Sequence, residues 1–150
     1  MRIALFEPEI AGNVGAVLRL GACLGAAIDL IEPMGFEWND RRVRRTAMDY
    51  IDHVDVARHA NFDAFRATIG SRRLVLFTTK SRQSAYEFRF MADDVLLFGK
   101  ESAGVPPEIA DGCDARVRVP IRPSVRSLNL AMTTALALGE ALRQTATLPG

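Results

Sequence analysis

Cysteine is scarce in this chain. Cys23 and Cys113 are the only two in 150 residues, too few for a disulfide framework or a cysteine-based metal site. Such usage points to a reducing cytosol, hence a cytoplasmic protein. Long apolar runs are missing as well: no stretch approaches the ~20 residues that a membrane span requires. The opening MRIALFEPEIAGN meets acidic residues at once, unlike a secretion signal. Charge of one sign is not in excess: 19 Lys and Arg against 18 Asp and Glu leave a net charge of +1. Any case for a nucleic-acid partner must therefore rest on local clusters. The two histidines, His53 and His59, stand in no cysteine or carboxylate pattern that reads as a metal site. There is no internal repeat, low-complexity tract or linker. What remains, 49% apolar and 25% charged, is ordinary for one soluble globular domain spanning residues 1–150. A chain of this length buries about 70% of its unfolded surface.

Taken in order, RIALF (2–6) is a short β-type run stopped by Glu7 and Pro8. EIAGN leads into a helix for which Asn13 is the expected N-cap. Val14, Val17, Leu18, Gly21 and Gly25 share one side of that helix, and Arg19 projects roughly 140° from Val14 at 100° per residue. Ala27 to Ile31 is a second strand, ended by Glu32-Pro33-Met34-Gly35. Strand, helix and strand in about thirty residues form a βαβ unit, which argues for a parallel sheet. Asp40 is expected to cap a helix whose Arg41, Arg42, Arg44 and Arg45 cover a broad face, with Val43 and Ala47 turned away. A third strand is expected near His53 to Val56, a helix near Phe62 to Ile69, and a continuous apolar strand of the buried parallel kind at Leu74 to Thr78. Residues 80–92 read as a polar surface connection, Asp94 to Phe98 as a fifth strand, and Pro106 to Asp111 as a short helix. Arg116 to Val119 is a last β-type run, closed by Pro120. From Ser127 onward apolar residues recur at helical spacing: Leu128, Ala131, Met132, Ala135, Leu138 and Leu142.

Three local motifs carry chemistry, each with a plain structural alternative. GKESAGVP (99–106) joins a strand to a helix, the usual place for a ligand loop in an α/β sheet. Glu101 follows Gly99-Lys100 where a phosphate-binding loop needs Ser or Thr. The spacing G-x-x-S-x-G is also one residue too long for a nucleophile elbow. GNVGAVLRLG fails the dinucleotide fingerprint and reads alone as an Asn-capped core helix. In RSLNL (126–130), Ser127 is the natural cap, whereas Asn129 between two leucines has no propensity reason to be there. A helix start with orphan N–H groups is a natural ligand site. Four arginines without interleaved acids make either a solvated face or a phosphate contact.

The order of the motifs goes further than any one of them. N-x-G-x-x-x-R near the start, G-x-E-x-x-G-[LV]-P in the middle and P-x-x-x-x-x-RSLNL near the end resemble the SpoU-type RNA 2′-O-ribose methyltransferases of the SPOUT superfamily. The match runs over essentially the whole chain. EPMGF-x-W (Glu32 to Trp38), followed by basic residues and Asp49-Tyr50, is similar to one subgroup, the minimal tRNA 2′-O-methyltransferases of the anticodon wobble nucleotide. Ala11-Gly12, Ala16 and Ala131-Met132 depart from the residues common in the family at those places.

The resemblance implies an α/β single domain with a parallel sheet and a deep C-terminal trefoil knot, a rare exception to ordinary chain topology. It implies S-adenosylmethionine as cofactor, no metal, and a pocket lined by Phe77, Thr78, Gly99, Val119, Ile121, Ser127 and Leu128. Glu101, Ser127 and Asn129 would position the ribose and Arg19. The family's matching arginine is held to act as base or to bind the adjacent phosphate; a guanidinium hardly deprotonates, which favours the phosphate. Arg41, Arg42, Arg44 and Arg45 would bind the tRNA backbone near the anticodon. A homodimer through the C-terminal helix would bring the arginine of one subunit to the cofactor of the other. Two other classes stand beside this reading: a noncatalytic RNA-binding module of the same fold, and an enzyme acting on another RNA or nucleotide.

Overall fold

RIALF lies in the middle of the sheet because its side chains are apolar on both faces. In the computed structural model, which describes residues 1–39 and 41–150, this strand is β1 (Arg2–Phe6). Asp40, the expected cap of the arginine helix, lies outside the described residues. The remaining strands are β2 (Ala27–Ile31), β3 (Val56–His59), β4 (Leu74–Phe77), β5 (Val95–Phe98) and β6 (Ala115–Val117). They form one six-stranded sheet in the order β3-β2-β1-β5-β4-β6, and every pairing is parallel. The helices are α1 (Ala11–Leu24), α2 (Arg41–Ala47), α3 (Phe62–Ile69), α4 (Pro107–Asp111) and α5 (Leu130–Gln144).

Alternation along the strands divides the core in two. Ile3, Leu5, Ile28, Leu30, Phe77, Leu96 and Phe98 face a layer made by α1, α2 and α5. Ala4, Phe6, Ile31, Leu74, Leu76 and Leu97 face Phe65 and Ile69 of α3, with Ile109 and Ala110 of α4 alongside. Helices on both faces explain why the strands read as unbroken apolar runs. The charges the sheet does bury are paired. Asp29, fully buried in β2, accepts from Arg2 Nε at 2.7 Å and lies 2.8 Å from His59 Nε2. Asp94 is likewise gripped by Arg73 through two 2.7 Å bonds.

Several expected boundaries shift, each for a physical reason. Residues 48–53 form a 3-10 turn, and β3 starts at Val56, later than expected. Its pairing with β2 is anchored by Ile28 N–H donating to Asp55 O and by the buried His59–Asp29 contact, which no apolar pattern reveals. Gly25 lies beyond α1 as its left-handed C-cap, at φ 71°, and not on its buried side. Asn13 is inside α1, and the N-cap position is Ile10, with no capping side chain of its own. The last helix begins at Leu130, capped by Asn129 and not by Ser127. Its buried stripe is Thr134, Ala137, Leu138, Ala141 and Leu142, while Leu128, Met132 and Leu136 are exposed. A helix this rich in alanine has two faces of similar polarity, so periodicity alone could not choose between them.

One close approach orders the α1–α2 pair. A β-carbon on Gly15 would lie 2.7 Å from both Thr46 Cβ and the Val43 carbonyl oxygen. Val43 and Ala47, buried as expected, seal that seam. Gly15→Ala is therefore expected to destabilise the fold by ~1–3 kcal/mol through overpacking. Urea unfolding should show a lowered midpoint with an unchanged slope; an unmoved midpoint would show that α2 sits loosely on α1.

Candidate active site

The loops that follow β4, β5 and β6 meet at the carboxyl edge of the sheet, together with the start of α1. Between them is a cavity of about 850 Å³, within the range of small-molecule sites. Phe77, Thr78, Gly99, Val119, Ile121, Ser127 and Leu128 all line it, and so do Glu101 and Asn129. Phe77 stacks on Phe98 with ring centroids 4.9 Å apart and on Phe90 at 6.2 Å, which makes one wall rigid and apolar. The 99–105 loop is tight. Lys100 and Gly104 exchange backbone hydrogen bonds, and a β-carbon on Gly99 would stand 2.5 Å from Gly104 Cα. Gly104 itself has φ 68°, where glycine carries no steric penalty.

The three motifs are joined by a chain of side-chain hydrogen bonds. Glu101 accepts from the backbone N–H groups of Glu9 (2.8 Å) and Ile10 (3.2 Å) and from Asn13 Nδ2 (3.2 Å). Asn13 Oδ1 accepts from Asn129 Nδ2 at 2.8 Å. Asn129 Oδ1 accepts from the N–H groups of Ala131 (2.9 Å) and Met132 (3.4 Å), the first turn of α5. Both ends set the direction of the relay. An ionised carboxylate only accepts and a backbone N–H only donates, so each amide between them has one possible orientation. Glu101 thereby ties down the turn that enters α1, through the N–H groups of Glu9 and Ile10, and an anion beside a helix N-terminus is favourable in itself.

Further ties hold the same loop. Ser102 donates to Glu9 Oε1 from both Oγ (2.6 Å) and N (3.1 Å), and these bonds draw the Glu9 carboxyl below its ordinary range. Lys100 Nζ bonds Glu7 Oε2 at 2.8 Å, which raises the lysine pKa. Arg118 also lines the cavity, and its Nε is buried without a hydrogen-bond partner among the described residues. Sequence reasoning missed Arg118 as a site residue, since a charge in an alternating β-run reads as solvated. It also missed Asn13 as the middle of the relay.

Arg19 is not in this cavity. It lies on the exposed side of α1, with Cζ 5.0 Å from the centre of the Tyr50 ring and Nη1 3.7 Å from Met48 Sδ. Arg41, Arg42, Arg44 and Arg45 are exposed on α2, the neighbouring helix, so the arginines gather on one side of the molecule. Among the described residues, no group of three or more His, Cys, Asp or Glu is placed to hold a metal ion. No helix of the described residues is long and apolar enough to cross a membrane.

A parallel sheet with a cavity at its carboxyl edge, built from the loops after β4, β5 and β6, makes this an α/β protein of the ligand-binding kind. Residues 1–139 match the SpoU rRNA Methylase family, and the chain belongs to that family. It is 52% identical over 144 residues to a tRNA (cytidine(34)-2′-O)-methyltransferase of Beijerinckia indica, covering 95% of this chain and 90% of that protein. The protein of the same name from Escherichia coli is 38% identical, with 96% and 93% covered. A solved structure concerned with 2-OH methylation of C/U34 on tRNA superposes with a TM-score of 0.91 at 39% identity, covering 95% and 94%. An AdoMet-bound rRNA methyltransferase of Sinorhizobium meliloti gives a TM-score of 0.86 at 29% identity; 95% of this chain covers 55% of that one.

The relay makes a measurable claim about stability. Asn13→Ala and Asn129→Ala should each cost ~1–3 kcal/mol, and the double variant should cost less than their sum by ~0.5–3 kcal/mol. A double-mutant cycle by urea unfolding checks this. Strict additivity would mean that the two amides do not share a bond in solution.

Proposed function

We propose that this chain transfers the methyl group of S-adenosylmethionine to the ribose 2′-oxygen of the wobble nucleotide of tRNA, a cytidine or uridine. The cavity carries this reading, because every residue expected to hold the cofactor lines that one space. The residues present also fit the cofactor. Phe77, Val119, Ile121 and Leu128 give apolar walls for an adenine, and the orphaned Arg118 Nε is a donor suited to one of the cofactor's oxygens. A bound sulfonium supplies an already activated methyl group, so the protein's task is orientation, an effect that can contribute about 7–11 kcal/mol. Ser127 and Asn129 face the reacting space and position the ribose. Glu101, whose carboxylate is engaged by α1 and Asn13, holds the loop against the helix. With the cofactor bound, the 2′-OH proton would pass to solvent as the new oxygen–carbon bond forms and the methyl's carbon–sulfur bond breaks, leaving the neutral thioether S-adenosylhomocysteine.

Arg19 grips an RNA phosphate and supports the attack from a second copy of the chain. Two observations favour such a pairing. Met132 and Leu136 are exposed one turn apart on α5, and nothing lies within 4 Å of a β-carbon built on Gly139. A small, apolar helix face of this kind suits close packing against another copy. Arg118 exchanges backbone hydrogen bonds with Gln83 and Ala85, and α5 packs against α1; the C-terminal trefoil knot that the family resemblance implies is part of this proposal.

Purified protein with unmodified tRNA should transfer methyl groups to a wobble 2′-oxygen; absence of transfer, with cofactor bound, would overturn the assignment. Neutralising Arg44 and Arg45 should weaken tRNA binding and leave cofactor affinity intact. It should also flatten the log–log salt dependence by about 0.7–0.9 for each phosphate the protein no longer neutralises. An unchanged slope would leave α2 merely solvated. Sedimentation at micromolar concentration should show dimers that Met132→Glu with Leu136→Glu turns into monomers. A wild-type monomer would rule out the pairing.

A further inference from the structure

We propose that Tyr50 and Met48 are positioning residues that hold Arg19 by its flat face while leaving its charge uncancelled and its outer N–H groups free for a phosphate. The inference rests on the phosphate-binding role of Arg19 proposed above, and adds how the side chain is kept in place. Five other arginines are tied down by acids: Arg2 by Asp29, Arg58 by Glu32, Arg73 by Asp94, Arg116 by Asp111 and Arg143 by Glu140. Arg19 is treated differently. Among the described residues it has no carboxylate partner, although Asp49 sits between the two residues that touch it. Its contacts are a ring face at 5.0 Å and a thioether at 3.7 Å.

Those two partners suit a guanidinium that must remain a cation. A carboxylate would occupy the planar fork that a phosphate needs and would cancel its charge. An aromatic face attracts the cation through the ring quadrupole and leaves the edge donors pointing outward. A thioether sulfur is only a weak acceptor. The backbone is arranged to deliver both. Gly15 lets the end of α2 press against α1, and Arg19 lies one turn further along the same side of α1. Directly after α2, Met48 takes φ 56°, a left-handed conformation that a non-glycine residue rarely adopts. That single residue ends the helix and starts the 3-10 turn of 48–53, which aims Met48 and Tyr50 at Arg19. Strain of this sort persists where the surroundings over-determine it, and it concentrates at functional sites.

The test is single-turnover methyl transfer at saturating tRNA and S-adenosylmethionine, with cofactor affinity and unfolding midpoint recorded for each variant. Tyr50→Leu should slow transfer roughly 3- to 30-fold, the range open to a cation–π contact, with cofactor affinity unmoved. Tyr50→Phe should keep most of the rate. Phenylalanine bearing successive ring fluorines at position 50 should lose rate stepwise, since fluorine drains the quadrupole and hardly changes shape. In an Arg19→Ala background, Tyr50→Leu should cause no further loss. Equal losses in both backgrounds would reduce Tyr50 to packing, and a wild-type rate for Tyr50→Leu beside an inactive Arg19→Ala would overturn the proposal outright. A full rate for Arg19→Ala would instead remove the underlying role of Arg19, and this inference with it. Should Tyr50→Leu fail to fold, the fluorine series decides alone, and a flat series refutes the hold.

Discussion

The hydrogen-bond relay Glu101–Asn13–Asn129 is what the rest of the site depends on. It joins residues 88 and 116 positions apart in sequence and ends on backbone N–H groups at the entry to α1 and in the first turn of α5. A carboxylate from the β5 loop holds the N–H groups of Glu9 and Ile10 just before α1, and the amide of Asn129 meets the first orphan donors of α5. The cavity walls are thus set against two rigid helices, although the walls themselves are loops. For a reaction that gains from orientation more than from reactive side chains, such fixing of loops is the main structural requirement.

The sheet explains why the relay forms where it does. β1 and β5 are neighbours, but the chain leaves β1 into α1 on one face and leaves β5 towards α4 on the other. Diverging connections open a crevice beyond the carboxyl ends of adjacent parallel strands, the usual binding place in open α/β sheets. Lys100–Glu7 and Ser102–Glu9 stitch the two departing segments together across that gap. The opposite edge of the sheet carries Arg2–Asp29 and Arg73–Asp94, whose acids are fully buried and paired.

Much of this is legible in the residues alone. RIALF, Ala27 to Ile31 and Phe62 to Ile69 fold within the bounds their patterns suggest, since apolar periodicity is a local signal. The expected pocket residues share one cavity because motif order, carried by resemblance, encodes what no single motif does. The misreadings have a common cause, which is that a side chain's partner lies far away. Asn13 reads as a local cap, but its partners are Glu101 and Asn129. Asn129 between leucines makes sense only once the helix is seen to start after it. His59 does end β3, but its burial against Asp29 is not written in its neighbours along the chain. Composition shows the kind of residue and its neighbours in the chain, but not its partner across the fold.

The near-zero net charge shows the same loss of information. Ion pairs tie Asp29, Glu32, Asp94, Asp111 and Glu140 each to an arginine and so leave the net charge as it was. What these pairs leave over is distributed unevenly. Among the described residues Arg19, Arg41, Arg44 and Arg45 have no acidic partner, and α1 and α2 carry them on adjoining exposed surfaces. Potential at a polyanion's contact distance is set by charges within about 8–10 Å at physiological salt, so distant pairs contribute little to it. A chain with a net charge of +1 can therefore present a strongly cationic side. The global sum fails as a guide here because it carries no information on where the unpaired charges lie.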